Sequence, residues 1–202
     1  METTFAPIVA ILAAYLLGSI PFAMISSKLF GLADPRSYGS GNPGATNVLR
    51  SGNKKAALFT LIGDALKGWA AVFVAQKMGL GDTVVGLVAL AVFFGHLFPV
   101  FLKFKGGKGV ATGAGVLLAL DPLLGLAVAG TWLFTAVAFR YSSLAAILAA
   151  VLAPVYSLLM HGANAQIIVI GIIAMALIGK HWQNLQRLLA GQETRIGSKK
   201  KH

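Results

Sequence analysis

Long apolar runs separated by short polar segments dominate the chain. A helix needs roughly 20 apolar residues to cross a bilayer core. Runs of that order occur at 5–25, 56–76, 83–102, 122–139, 143–160 and 164–182, with a shorter one at 109–120. Read with its successor, the short run is either a thin or tilted span or a re-entrant hairpin turning at Asp121-Pro122. The stretch 5–25 follows Met-Glu-Thr-Thr, which lacks the basic region of a signal peptide, so it is expected to be retained as the first span. No fixed-period repeat is visible. The pattern predicts an all-α polytopic membrane protein of about seven transmembrane helices.

Charge adds an orientation. With the N-terminus outside, fifteen of the seventeen basic residues fall in segments on the inner side, Lys77 falls outside and Lys67 lies within a span. Glu2, Asp82 and Asp121 fall outside. Cytoplasmic loops carry an excess of lysine and arginine, so the C-terminus is expected in the cytoplasm. Counting 109–120 as a crossing keeps the later loops in register with that rule.

Composition agrees. Hydrophobic residues make up 57% of the chain, charged residues 11%, and the mean hydropathy is +0.79. Soluble domains carry roughly 25% charged residues, so a water-facing surface cannot be covered. No long polar stretch remains for a second domain, and 1–202 is read as a single integral-membrane domain. Twenty-four glycines suit close helix packing. The absence of cysteine removes disulfides, thiolate nucleophiles and Cys-based metal sites. A net charge of +11 would suggest nucleic acid in a soluble protein; here it reads as positive-inside bias, with no nucleic-acid partner. The small basic tail 197–202 is expected to be disordered against the anionic inner leaflet.

Three polar motifs fall on the predicted inner side. In Ser40-Gly41-Asn42-Pro43-Gly44-Ala45-Thr46-Asn47-Val48-Leu49-Arg50, glycines let successive N–H groups converge on an anion. Ser40, Thr46 and Asn47 add neutral donors, and Arg50 adds a bidentate fork for phosphate. An ordinary turn with Thr46 or Asn47 capping a helix remains open. The second motif sets His96 near a span end, before Lys103-Phe104-Lys105-Gly106-Gly107-Lys108-Gly109-Val110-Ala111-Thr112. Glycines opening a helix present free N–H groups to an anion, and Lys105 and Lys108 add charge. Topology alone accounts for the lysines, but not for the glycine run or His96. It is no P-loop, because Gly109 follows Lys108 where Ser or Thr is required. The third motif, Lys180 to Arg187, puts Lys180, Asn184 and Arg187 on one helical face, with His181 three residues before Asn184. Trp182 and the basic side chains also suit a membrane interface. Within a span, Asp64 and Lys67 stand at i, i+3, either as a functional pair or as a neutralised packing pair.

These residues carry a resemblance. SGNPGATNVLR, GHLFPVFLKFKGGKGVAT and KHWQNLQRLLAGQETR, with GDALKG around Asp64 and Lys67, resemble the signature segments of bacterial acyl-phosphate:glycerol-3-phosphate acyltransferases. The resemblance covers nearly the whole chain, in order. It implies a seven-helix inner-membrane enzyme that moves a fatty acyl group from acyl phosphate to the 1-hydroxyl of sn-glycerol 3-phosphate. The products are lysophosphatidic acid and phosphate, at the first acylation of phospholipid biosynthesis. The H-x-x-x-x-D motif of the soluble-type acyltransferases is absent, since Phe101 stands at that distance from His96.

Both expected substrates carry phosphate, and one carries a long acyl chain, so a basic pocket opening onto a lipid-facing groove is required. An acyl phosphate is already activated. Direct attack by the glycerol hydroxyl is expected, without a covalent enzyme intermediate and without cofactor or metal. His96, with Ser40, is the catalytic candidate, His96 as general base unless a substrate phosphate oxygen takes that part. Arg50, Lys105, Lys108, His181 and Asn184 are expected to bind phosphate, and Ser40, Asn47 and Thr112 to orient it. The expected partners are the two substrates and membrane lipid, with the protein a monomer. The competing reading is an organic-phosphate transporter, which would place its site near the midplane between repeated halves.

Overall fold

The computed structural model describes residues 2–197; residues 198–202, which make up most of the expected basic tail, lie outside them. The described chain is helical: α1 (Glu2–Ser19), α2 (Phe22–Leu29), α3 (Ala45–Leu49), α4 (Lys54–Lys77), α5 (Asp82–Leu97), α6 (Val110–Leu120), α7 (Pro122–Phe139), α8 (Ser142–His161), α9 (Ala165–Lys180) and α10 (Trp182–Leu189). Four helices are long and apolar enough to cross a membrane, and six spans result if α1–α2 and α9–α10 each count as one bent span. The remaining expected segment is α6, whose eleven residues extend about 16 Å, roughly half of a bilayer core.

One expected span is interrupted, and another bends at its end. The run 5–25 breaks at Ile20-Pro21, with a 40° bend into α2, because proline has no N–H to donate and its ring clashes with the preceding turn. The run 164–182 is carried by α9, and the chain bends by 59° at its end, at His181, into α10.

The chain divides into two compact units, 1–125 and 126–202. In the first, α1 lies along α5 and α4 along α6. Both pairs approach at glycine. A Cβ on Gly18 would strike the Val92 carbonyl, and one on Gly95 the Tyr15 carbonyl. A Cβ on Gly68 would strike the Thr112 carbonyl, and one on Gly115 the Ala65 carbonyl. Small residues permit such backbone contact between helices in lipid, where packing replaces the hydrophobic effect as the driving force. Ala23, Val48, Ala56 and Ala57, with Phe30 and Leu32, form a small core that seats α3 between α2 and α4. In the second unit α8 packs on α9, and α10 contacts both. Large apolar side chains face outward in each unit, among them Leu12, Ile62, Phe134 and Leu159. That arrangement suits lipid rather than water.

Candidate active site

The break after α1 frees a backbone carbonyl. Pro21 accepts from the Met24 and Ile25 N–H groups, and the Ile20 carbonyl instead accepts from Lys67 Nζ at 2.8 Å. Lys67 also stands 2.9 Å from Asp64 Oδ1, and both side chains are almost fully buried. The same Asp64 oxygen lies 3.4 Å from His96 Nδ1. Two residues of α4 and one at the end of α5 thus form a single cluster. It borders a narrow cleft lined by Ser19, Phe22, Pro43, His96, Gly106 and Gly107, among others. Asp64 and Lys67 do neutralise each other, but the pair also reaches the catalytic candidate. The residue types hinted at this; the 32-residue separation of Asp64 from His96 concealed it.

Two glycines of the second motif have a use beyond the expected one. After α5 the chain turns back through Lys103 and Phe104, both in left-handed backbone with φ of 51° and 61°. The Gly106 N–H then donates to the Leu97 carbonyl (3.2 Å) and the Gly107 N–H to the His96 carbonyl (3.1 Å). These carbonyls belong to the helix end and lack intrahelical partners. A Cβ on Gly106 would strike the His96 carbonyl, and one on Gly107 the ring Nε2 of His96. Gly106 and Gly107 therefore cap α5 and leave room for the imidazole; their N–H groups are not directed at an anion. Lys105 is exposed and Lys108 partly so. Thr112 has no exposed surface. It sits in the α4–α6 contact beside Gly68, not on a surface open to a substrate.

The first loop is held from within. Gly39 and Gly41 both have left-handed φ, at 62° and 68°. The buried Asn47 accepts from the Ser40 N–H at 2.9 Å and donates to the carbonyls of Pro35 at 2.6 Å and Tyr38 at 3.2 Å. Neither Thr46 nor Asn47 caps α3, whose N-cap is Gly44. A Cβ on Gly39 would collide with Asn47 Oδ1 and lie 3.1 Å from Arg50 Cδ. Ser40, Asn47 and Arg50 are thus gathered at one turn, with Ser40 and Arg50 exposed. Pro43, from the same loop, reaches the cleft.

In the second unit the His181 ring lies at the bend, with Nδ1 2.9 Å from the Leu177 carbonyl. A carbonyl only accepts, so Nδ1 carries a proton. Asn184 Nδ2 donates to Glu193 Oε1 at 2.6 Å, as does Ser143 Oγ at 2.8 Å. Arg187 Nε donates to Glu193 Oε2 at 2.8 Å. Burial raises the Glu193 pKa, but the hydrogen bonds from Arg187, Asn184 and Ser143 outweigh it and hold the carboxyl below its ordinary 4.5. The segment is fastened further: Arg195 Nε donates to the Tyr141 hydroxyl and the Ile196 N–H to the Arg140 carbonyl. Glu193 had no role in the sequence reading, because its donors lie up to 50 residues away.

A depressed carboxyl pKa stabilises the fold above its unfolded value, and that stability is lost as pH falls toward the folded value. Glu193→Gln should therefore be less stable than the parent at neutral pH, and the gap should close below about pH 4.5. Thermal unfolding in detergent across pH measures it; a gap that is constant with pH would contradict the ionised role.

Among the described residues no group of three His, Asp or Glu side chains is arranged to hold a metal. Apolar spans around a buried acid–lysine–histidine cluster at a cleft, beside a glycine-rich polar loop, define an integral-membrane protein with ionisable groups gathered at one site. Residues 8–191 match the model of the family described as glycerol-3-phosphate acyltransferase. The chain belongs to the glycerol-3-phosphate acyltransferase family. It is 81% identical over 193 residues to a glycerol-3-phosphate acyltransferase of Dechloromonas aromatica, covering 96% of this chain and 98% of that one. With a Cupriavidus taiwanensis protein of the same name the identity is 62%, covering 94% and 96%. The fold is similar to the crystal structure of PlsY (YgiH), an integral membrane glycerol 3-phosphate acyltransferase, in its glycerol 3-phosphate form. The TM-score is 0.90 at 38% identity, covering 95% of this chain and 96% of that one. A lysophosphatidic acid form of the same protein matches with a TM-score of 0.88 at 37% identity.

Proposed function

We propose that the protein transfers a fatty acyl group from acyl phosphate to the 1-hydroxyl of sn-glycerol 3-phosphate, releasing lysophosphatidic acid and phosphate. The observation that carries this reading is the buried Asp64–His96 contact at the cleft, in a chain of this family. The similar crystal structures are described as a glycerol 3-phosphate form and a lysophosphatidic acid form, the acceptor and product of such a transfer. In the proposed step the glycerol oxygen attacks the acyl carbonyl carbon, the bond from that carbon to the phosphate oxygen breaks, and the hydroxyl proton passes to His96. Phosphate leaves readily from a mixed anhydride, so positioning and charge stabilisation supply most of the catalysis.

Arg50, Lys105 and Lys108 are assigned to substrate phosphates, and the exposed Ser40 to orienting them. His181 and Asn184 of the second unit are assigned phosphate contacts on their chemistry. Asn47 and Thr112 are assigned supporting parts, the first holding the loop and the second filling a helix contact. The whole chain is read as one acyltransferase domain, monomeric and crossing the bacterial inner membrane about seven times, with α6 as the short crossing. The charge count supports an outer N-terminus, a cytoplasmic C-terminus and a site open to the cytoplasm.

The test is release of inorganic phosphate by purified protein given palmitoyl phosphate and glycerol 3-phosphate. No release in any of several detergents would overturn the reading, and an organic-phosphate transporter would give none. In the same assay Lys108→Ala should raise the KM for a phosphate-bearing substrate about tenfold, the loss of one charge-assisted contact. An unchanged KM and rate would remove Lys108 from the phosphate site.

A further inference from the structure

The eight residues of α10 divide among three sides. Asn184 is buried, and with Arg187 it donates to Glu193, so this side lies against the folded-back segment of the second unit. Gln183 and Gln186 are polar and exposed. Trp182, Leu185 and Leu189 recur at i, i+3 and i+7, which gathers them on one further side. Trp182 is 58% exposed, and Leu189, at 82%, is the most exposed large apolar side chain among the described residues. A helix tied to its protein on one side, polar on the next and apolar on the third suits the boundary between acyl chains and headgroups. Two observations point to lipid as the occupant of the apolar stripe. The apolar helix α9 already presents exposed Ile168 and Met175, seven residues apart, and Trp182 follows seven residues after Met175. The stripe therefore begins where the lipid-facing surface of α9 ends. The 59° turn into α10 then lays the helix nearer to the membrane plane than to the axis of an upright span. Tryptophan is enriched at that depth, because its ring is apolar and its N–H polar.

We propose that α10 docks on the lipid surface at the end of α9 through Trp182, Leu185 and Leu189, and that this contact holds Asn184 in place for the acyl transfer. The membrane is then a working part of the second unit. It steadies the outer side of a helix whose inner side is held by Glu193. Trp182, Leu185 and Leu189 are positioning residues, since they act through the helix. The docking stands on the helix alone; its effect on the reaction rests on the assignment of Asn184 to a substrate phosphate.

The experiment uses full-length Trp69→Phe/Trp132→Phe protein, which keeps Trp182 alone of the three tryptophans. It is placed in vesicles of phosphatidylcholine brominated either just below the headgroup or near the chain end. Trp182 fluorescence should be quenched more by the shallow bromines than by the deep ones, and only weakly by acrylamide in the water. Quenching by acrylamide alone would put the stripe in water, and quenching by neither would put a second copy of the chain over it; either result overturns the proposal. Adding Leu185→Gln/Leu189→Gln should weaken the quenching by lipid. It should also raise the KM for a phosphate-bearing substrate about threefold to tenfold, the worth of one hydrogen bond, with the unfolding temperature nearly unchanged. A merely structural role would lower the active fraction, and so the apparent kcat, without moving KM. Leu189→Gln alone, at the most exposed position, gives the same reading should the double variant not fold. Undiminished lipid quenching in the variant, or lost quenching with a parent-like KM, would overturn the proposal. If the acyl-transfer reading itself fails, the parent releases no phosphate while the quenching pattern stands.

Discussion

His96→Ala is expected to lose about 10²–10⁴-fold in kcat, with little change in the KM for glycerol 3-phosphate. The backbone carbonyl of His96 is capped by the Gly107 N–H, a bond that His96→Ala leaves in place while it removes the proposed proton acceptor. In its neutral form imidazole has one ring nitrogen without a proton, which can accept one from a hydroxyl. A loss confined to kcat means an interaction made in the transition state; a rise in KM alone would mean ground-state binding. Phosphate release at saturating substrate is the measurement, with His96→Gln as a control of similar size that cannot serve as a base. Near-normal turnover in His96→Ala would hand the base to a substrate phosphate oxygen and leave His96 a structural part.

Lys67→Met should be among the most destabilising single changes in the chain. It leaves the Asp64 carboxylate, 4% exposed, without its cation, and breaking a buried pair in this way costs about 3–5 kcal/mol. It also strips the Ile20 carbonyl of its donor. Asp64→Asn/Lys67→Met should recover much of that loss, since the charges leave together and methionine fills the lysine stem's space. Unfolding midpoints of the parent, both single variants and the double variant form a cycle that isolates the pair. If the single losses simply add in the double, the two charges are not coupled.

Much of the architecture is legible in the residues themselves. Apolar runs become helices because a backbone in lipid must satisfy its polar groups internally, and each expected run corresponds to a helix or a bent pair. The breaks are less legible. Pro21 marks the first, yet a proline also occurs inside α1 at Pro7 and inside α8 at Pro154, so its presence alone does not locate a bend. Motif chemistry is legible in kind but not in use. Asn47 reads as an anion donor and serves as the internal tie of its loop. The glycine run reads as the opening of an anion-binding helix N-terminus, and its Gly106 and Gly107 cap the preceding helix and clear the imidazole. A single sequence lists donors, but only neighbours decide which are already spent.

The sequence by itself determined an all-helical membrane protein with phosphate-type motifs, because length, hydropathy and charge bias act locally and need no partner. Only the tertiary structure decided which charges meet. Asp64 reaches His96 because α4 and α5 pack in one unit, and Glu193 collects Ser143, Asn184 and Arg187 because the chain after α10 folds back. Such contacts depend on close helix approach, and the interhelical distance is set by side chains far away in sequence. Short-range pattern cannot encode that distance, which is why the acid behind the histidine came to light only with the fold.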